Sequence, residues 1–158
     1  MSSMPSPCDH TSVGILVERD GRTLLIERAR GAVGYALPAG HVDGDTSYDS
    51  AAVRELHEET GLRALHLELL ATGRKENPCR REGVTWHLWK IYRAITEGDI
   101  VPNKDETKRV GWYLREELKT LAKRTEAYRA GRISEEEWRA FPGLEPVMYD
   151  WFTELHLI

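Results

Sequence analysis

Three glutamates, Glu55, Glu58 and Glu59, fall in one short stretch with helical character. At about 100° of turn per residue they share a face, while Ala52, Val53, Leu56 and Thr60 form a neighbouring stripe suited to a core. Like charges three or four apart cost only about 0.2–0.5 kcal/mol per pair on an exposed helix, so repulsion alone does not separate a solvated face from a working one. The chemistry such a face can do is metal binding. Mg²⁺ or Mn²⁺ takes oxygen ligands in an octahedron and keeps waters, and a rigid rod offering carboxylates at i, i+3 and i+4 supplies several of them at once. The turn at Gly40 can add a backbone carbonyl.

The element that positions these carboxylates has clear ends. Ser47 is a suitable N-cap, Ala51 and Ala52 are strong helix formers, and Gly61 sits where a left-handed C-cap residue is expected. The sequence therefore predicts a helix from Ser47 to about Thr60, entered through a glycine-containing turn, GHVDGD, at 40–45.

Taken together, Gly40, Arg54, Glu55, Leu56, Glu58, Glu59, Gly61 and Leu62 resemble the signature of the Nudix hydrolases, G-x5-E-x7-R-E-U-x-E-E-x-G-U with U apolar. The chain departs from it at Thr46, where the signature carries a glutamate that in the family pairs with the box arginine. The departure bears on the support of Arg54 more than on the metal ligands, and Asp43 or Asp45 is placed to supply the missing charge.

The resemblance implies an α/β (α+β) fold, a mixed β-sheet sandwiched between helices, with the box helix carrying the metals. It implies Mg²⁺-dependent (or Mn²⁺-dependent) hydrolysis of a nucleoside diphosphate linked to another group, such as ADP-ribose, a nucleotide sugar or a nucleotide. Glu55, Glu58 and Glu59 would be ligands with Gly40, Arg54 would support them, and either Glu55 or Glu106 would be the general base. The alternative is a catalytically weak nucleotide-binding or regulatory module on the same fold. Family members of this size are often homodimers.

Beyond the box, the segment GRKENPCRREGV at 73–84 is strongly basic. Arg74, Lys75, Arg80 and Arg81 are its candidates for substrate phosphates, against the plainer reading of a solvated charge run. Trp86, Trp89 and Tyr35 are candidate stacking surfaces, although aromatics on strands are more often core. A second ligand set consists of Cys8, His10, Cys79 and His87, two thiols and two imidazoles of the kind that hold tetrahedral zinc, at a spacing unlike that of a standard zinc finger. Such a zinc would be structural and would pin the basic loop to the sheet.

The remaining elements follow the chain. Residues 1–10 form an N-terminal tail, the first seven rich in Ser and Pro, and 11–158 read as a single domain. Thr11–Glu18 and Arg22–Arg28 read as strands joined at Asp20-Gly21, a strong hairpin signal. Further strands are expected at Tyr35–Pro38, about 63–72, 85–94 and 109–114, then helices at 115–130, 134–140 and 146–155. On the strand at 85–94 alternation puts Trp86, Leu88, Lys90 and Tyr92 on one face and His87, Trp89 and Ile91 on the other. In the last helix Met148, Trp151, Phe152 and Leu155 read as core.

With 158 residues, 41% hydrophobic and 30% charged, the chain has enough material for a full core. Its net charge of −4 gives no general attraction to nucleic acid or anionic membrane, which disfavours an RNA-processing role and favours a small nucleotide-type substrate. No apolar run reaches the roughly 18 residues of a membrane span, and two cysteines with no signal pattern point to a cytoplasmic protein.

Overall fold

The computed structural model of the chain describes residues 8–45, 47–79 and 83–158. Alternating apolar residues over Thr11–Leu16 form strand β1, and after Val17 the pair Glu18–Arg19 forms β2 and Arg22–Arg28 forms β3. Asp20 and Gly21 between β2 and β3 have φ of 52° and 74°. Both are left-handed, the backbone that a two-residue hairpin needs to match strand twist. Short strands β4 (Tyr35–Ala36) and β5 (Ala39–His41) lead into helix α1 (Tyr48–Thr60). Long strands β6 (Arg63–Lys75) and β7 (His87–Glu97) follow, then β8 (Thr107–Leu114) and helices α2 (Arg115–Arg129), α3 (Glu135–Ala140) and α4 (Pro146–Glu154).

Two four-stranded sheets result. One is mixed, in the order β5-β1-β7-β6, with β1 and β7 parallel and the other pairs antiparallel. The other is antiparallel, with β3 at its centre and β8 paired along its length. Because side chains alternate across a strand, the mixed sheet feeds two cores. Val13 and Ile15 of β1 and Tyr92 and Ala94 of β7 pack with Ala51, Ala52 and Leu56 of α1. Leu16, Trp89 and Ile91 pack on the opposite side with Leu118 of α2 and Met148, Trp151 and Phe152 of α4. The sheet thus lies between α1 and the C-terminal helices, as expected of a mixed sheet sandwiched between helices.

The strand and helix boundaries differ from the sequence expectation mainly in β6 and β7, which run on as a long antiparallel pair with register shifts between Ala64 and His66 and between Leu69 and Ala71. The alternation expected in β7 holds, with His87, Trp89 and Ile91 buried and Leu88 exposed. On α1 the buried stripe is Ala51, Ala52, Leu56 and Thr60, whereas Val53 is exposed. Ala51 takes the place expected for Val53 because the sheet reaches the helix from the Ala51 side. No helix among the described residues is long and apolar enough to cross a membrane. The first seven residues of the expected tail lie outside the described residues.

Candidate active site

Helix α1 is held at both ends by the residues its sequence nominates. Ser47 Oγ accepts the Ser50 N–H at 3.1 Å, and Gly61, at φ 81°, donates its N–H to the His57 carbonyl. Between these caps Glu55, Glu58 and Glu59 all face one cleft of about 460 Å³.

Arg54 draws two of the carboxylates together, since its Nη1 lies 2.8 Å from Glu55 Oε1 and 3.3 Å from Glu58 Oε2. Its other edge is fixed, with Nε and Nη2 donating to Asp45 Oδ2 at 2.9 and 2.7 Å and Nη2 also donating to the His41 carbonyl at 3.0 Å. Asp45 therefore supplies the partner expected one residue later; Thr46 itself lies outside the described residues. Gly40 explains the small residue that opens the box. A Cβ there would come within 2.2 Å of the Glu55 carboxyl carbon, so only glycine lets Glu55 lie against β5.

Glu59 is almost wholly buried and is anchored twice. Its Oε1 accepts the Ala39 N–H at 2.7 Å, and its Oε2 meets Arg28 Nη1 at 3.3 Å. Arg28 in turn donates from Nε to Glu145 Oε2 at 2.9 Å and from Nη2 to the Ala39 carbonyl. One guanidinium from the end of β3 thus joins the box helix, β5 and the residue that precedes α4.

Burial governs the titration of this group. Desolvation pushes Glu55 up to about 7, against the pull of Arg54, and Glu59 up to about 8, against the pull of Arg28. Glu145 is raised for the same reason. Desolvation works against the Arg28 charge, but Glu145 and Glu59 more than offset it and hold the guanidinium ionised.

Glu106 and Arg30 also line the cleft. The structure places Arg74 and Lys75, the phosphate candidates of the basic segment, in other pairings. Arg74 is paired with Glu76 and lies 4.3 Å over the Trp86 ring, while Lys75 lies 4.3 Å over Trp151 and pairs with Glu154. Neither lines the cleft. The cationic residues that do are Arg28, Arg30 and Arg54; Arg80 and Arg81 lie outside the described residues. Of the aromatic candidates only Trp89 lines the cleft, and it is buried, with Nε1 donating to Asn77 Oδ1 at 3.2 Å. Trp86 instead stacks on His10, and Tyr35 packs edge-on against Tyr113.

A second cluster sits beside the carboxylates. Cys8, His41, Cys79 and His87 bring one ligand atom each to within 4.8 Å of all the others. This corrects the expected set, in which His10 stood where His41 belongs. His10 Nδ1 bonds the Trp86 carbonyl at 3.0 Å and its ring stacks on Trp86 at 3.9 Å, which holds it out of the cluster.

Arg28, Arg30, Glu145 and His41 are site residues that sequence reasoning missed. His41 follows Gly40 inside the box at a position where any residue is allowed, so its type carries no signal there. Arg28 and Glu145 are separated by 117 positions, and nothing local in either segment announces the other.

Residues 9–135 match the family model described as NUDIX domain. The chain is 31% identical over 105 residues to a MutT-like protein of Streptomyces ambofaciens, covering 66% of this chain and 63% of that protein. It is 30% identical over 118 residues to an RNA pyrophosphohydrolase of Teredinibacter turnerae, covering 63% of this chain and 69% of the relative. Another relative, from Caenorhabditis elegans, is far longer, and the chain spans 26% of its length. Among solved structures, a MutT NUDIX hydrolase from Burkholderia pseudomallei superposes with a TM-score of 0.60 at 27% identity, covering 68% of this chain and 84% of that one.

Proposed function

We propose, from the premise that this chain belongs to the Nudix family, that it is a Mg²⁺-dependent hydrolase of the diphosphate linkage in a nucleoside diphosphate joined to a further group. The observation that carries this reading is the convergence of Glu55, Glu58 and Glu59 from one capped helix on a cleft that also holds Arg28 and Arg30. The donor set fits the cation: oxygen ligands on a rigid element, with room left for waters and substrate phosphates. Glu55, Glu58 and Glu59 would hold it, with the Gly40 carbonyl as a further oxygen. Divalent cations bound there would neutralise charge developing on the phosphates and lower the pKa of an attacking water, effects worth several kcal/mol of barrier.

The chain's own groups divide the remaining work. Ala39 and Arg28 fix the Glu59 rotamer, and Arg54 aligns Glu55 with Glu58. Arg30, which lines the cleft, is the cation we assign to substrate phosphate. The proton of the attacking water has two acceptors in the same cleft, Glu55 and Glu106. Glu55→Gln and Glu106→Gln, assayed across pH, distinguish them, because loss of the base removes the acidic limb of the kcat profile.

A small substrate is favoured over a long RNA. Relatives named RNA pyrophosphohydrolase bring that chemistry into consideration, but a net charge of −4 gives little attraction for an extended phosphodiester backbone. The test is a panel of ADP-ribose, dinucleoside polyphosphates, nucleotide sugars, nucleoside triphosphates and 5′-triphosphorylated RNA, each with and without Mg²⁺. We expect Mg²⁺-dependent cleavage of a small diphosphate compound, reduced at least about 100-fold in Glu58→Ala. Binding without cleavage of any member, or a Glu58→Ala protein as active as the parent, overturns the proposal.

A further inference from the structure

We propose that Cys8, His41, Cys79 and His87 form a structural zinc site, separate from the carboxylate site and set at the rim of the same cleft.

Topology explains why four residues so far apart in sequence meet. β1 lies between β5 and β7, with Ser12 opposite His41 and Thr11 opposite Leu88. His41 and His87 therefore arrive at one end of the sheet from either side of β1, and the segment leading into β1 brings Cys8 to the same end. The chain beyond β6 folds back to bring Cys79, whose N–H donates to the Val84 carbonyl at 3.0 Å.

The spacing of the ligand atoms is that of a coordination shell. Cys8 Sγ lies 3.5 Å from His87 Nε2, and Cys79 Sγ lies 3.3 Å from His41 Nε2. All four atoms fall within 4.8 Å of one another. Zinc bound tetrahedrally, with Zn–S of about 2.3 Å and Zn–N of about 2.0–2.1 Å, needs ligand-to-ligand edges of roughly 3.3–3.8 Å. Small adjustments of side chains already in place would close the shell. His87 is buried and the other three are partly buried, so the site is shielded without being sealed.

The donor chemistry selects the metal. Two thiolates and two imidazoles suit Zn²⁺ and are poor ligands for Mg²⁺, whereas Glu55, Glu58 and Glu59 have the opposite preference. With four protein ligands the zinc has no open position for a water or substrate, so its role is structural. A Cys8–Cys79 disulfide would account for the two sulfurs but not for a histidine nitrogen against each of them.

What the metal would organise is specific to this cleft. Asn77, Pro78 and Cys79 form part of its wall, and His41 directly follows the Gly40 that lies against Glu55. Zinc would tie the wall after β6 to the strand that carries Ala39 and Gly40, and so hold the cleft rim in register with the carboxylates.

The test uses the full chain made without an affinity tag that binds metals. After washing with excess Mg²⁺ to clear the carboxylates, metal content is measured by mass spectrometry. We expect about one zinc per chain, replaceable by Co²⁺ with a thiolate-to-cobalt charge-transfer band. Both cysteines should resist alkylation until a strong chelator is added. Cys79→Ala and His41→Ala should lose the zinc while still melting cooperatively, and His10→Ala should retain it. A zinc-free protein that takes up none, zinc retained at parent level in Cys79→Ala, or a Cys8–Cys79 disulfide in the freshly purified protein each overturns the proposal. If the variants do not fold, the alkylation of the unaltered chain decides: thiols equally reactive before and after chelation overturn it.

Discussion

Arg54 and Asp45 form a forked ion pair, with Nε and Nη2 of the guanidinium both on Asp45 Oδ2 at 2.9 and 2.7 Å. The pair replaces the contact that the family signature assigns to a glutamate at position 46. It fixes the edge of Arg54 that faces away from Glu55 and Glu58. Asp45→Ala should release Arg54 and cost about 1–2 kcal/mol of stability, because both groups are only partly buried. Turnover should fall further than stability does. Thr46→Glu should change little by itself, since Arg54 already has its partner, but should restore much of what Asp45→Ala loses. A double-mutant cycle on melting temperature and kcat checks this, and strictly additive effects would sink the idea of exchangeable partners.

The contact between Gly40 and Glu55 predicts a separation of activity from stability. An added methyl would lie 2.2–2.5 Å from the Glu55 carboxylate atoms, which are the far end of a flexible side chain. The side chain can swing aside at small energetic cost, but it then leaves the cleft. Gly40→Ala should therefore melt within a few degrees of the parent while losing at least about 10-fold in kcat, equivalent to roughly 1.4 kcal/mol of barrier. Unimpaired turnover in a folded Gly40→Ala protein would show that the position of Glu55 does not matter.

Glu145 is expected to be the most costly of the hidden residues. It is buried, and the Arg28 guanidinium that pairs with it also holds Glu59. Glu145→Ala leaves Arg28 without the partner on its Nε and should destabilise the fold by about 3 kcal/mol, the scale of a broken buried pair. Because Arg28 also steadies Glu59, the loss should extend to Mg²⁺ affinity, measured by calorimetric titration. Glu145→Gln, which keeps an acceptor, should recover part of both. Equal melting temperatures for parent and Glu145→Ala would contradict the bridging role.

Local signals made α1 legible from sequence almost residue by residue, because a serine cap, a glycine stop and a carboxylate face each act within a turn or two of chain. The same holds for the hairpin at Asp20-Gly21, where turn chemistry dictates the backbone. What sequence did not disclose is set by distant pairings. His41 displaces His10 from the Cys/His cluster because β5 pairs with β1, a register that no short segment encodes. Arg74 and Lys75 look like phosphate ligands in a basic run, but Trp86 and Trp151, brought up by tertiary packing, capture them outside the cleft. Val53 matched the helical stripe by angle alone and lost its place to Ala51, since the angle does not say where the sheet approaches.

The raised carboxyls predict an unusual pH dependence when Mg²⁺ is left out. Glu55 moves from an ordinary value of 4.5 to about 7 and Glu59 to about 8, each because burial penalises the charged form. A folded-state pKa above the unfolded one means that the folded protein binds the proton more tightly. The resulting stabilisation is fully present below about pH 4.5 and is lost as pH rises through 7 to 8. Without added Mg²⁺, stability should thus fall between pH 6 and 8.5, by on the order of 4 kcal/mol. Mg²⁺ held as proposed would compete with those protons for the same oxygens, so it should raise the melting temperature more at pH 8.5 than at pH 6. Glu55→Gln carries no proton to lose and should flatten part of the slope. Thermal melts of both proteins across this range, with and without Mg²⁺, provide the check. A parent protein whose melting temperature rises from pH 6 to 8.5 without Mg²⁺, or a slope unchanged by Glu55→Gln, would show that these carboxyls are already ionised in the folded state, with Arg28 and Arg54 prevailing over burial.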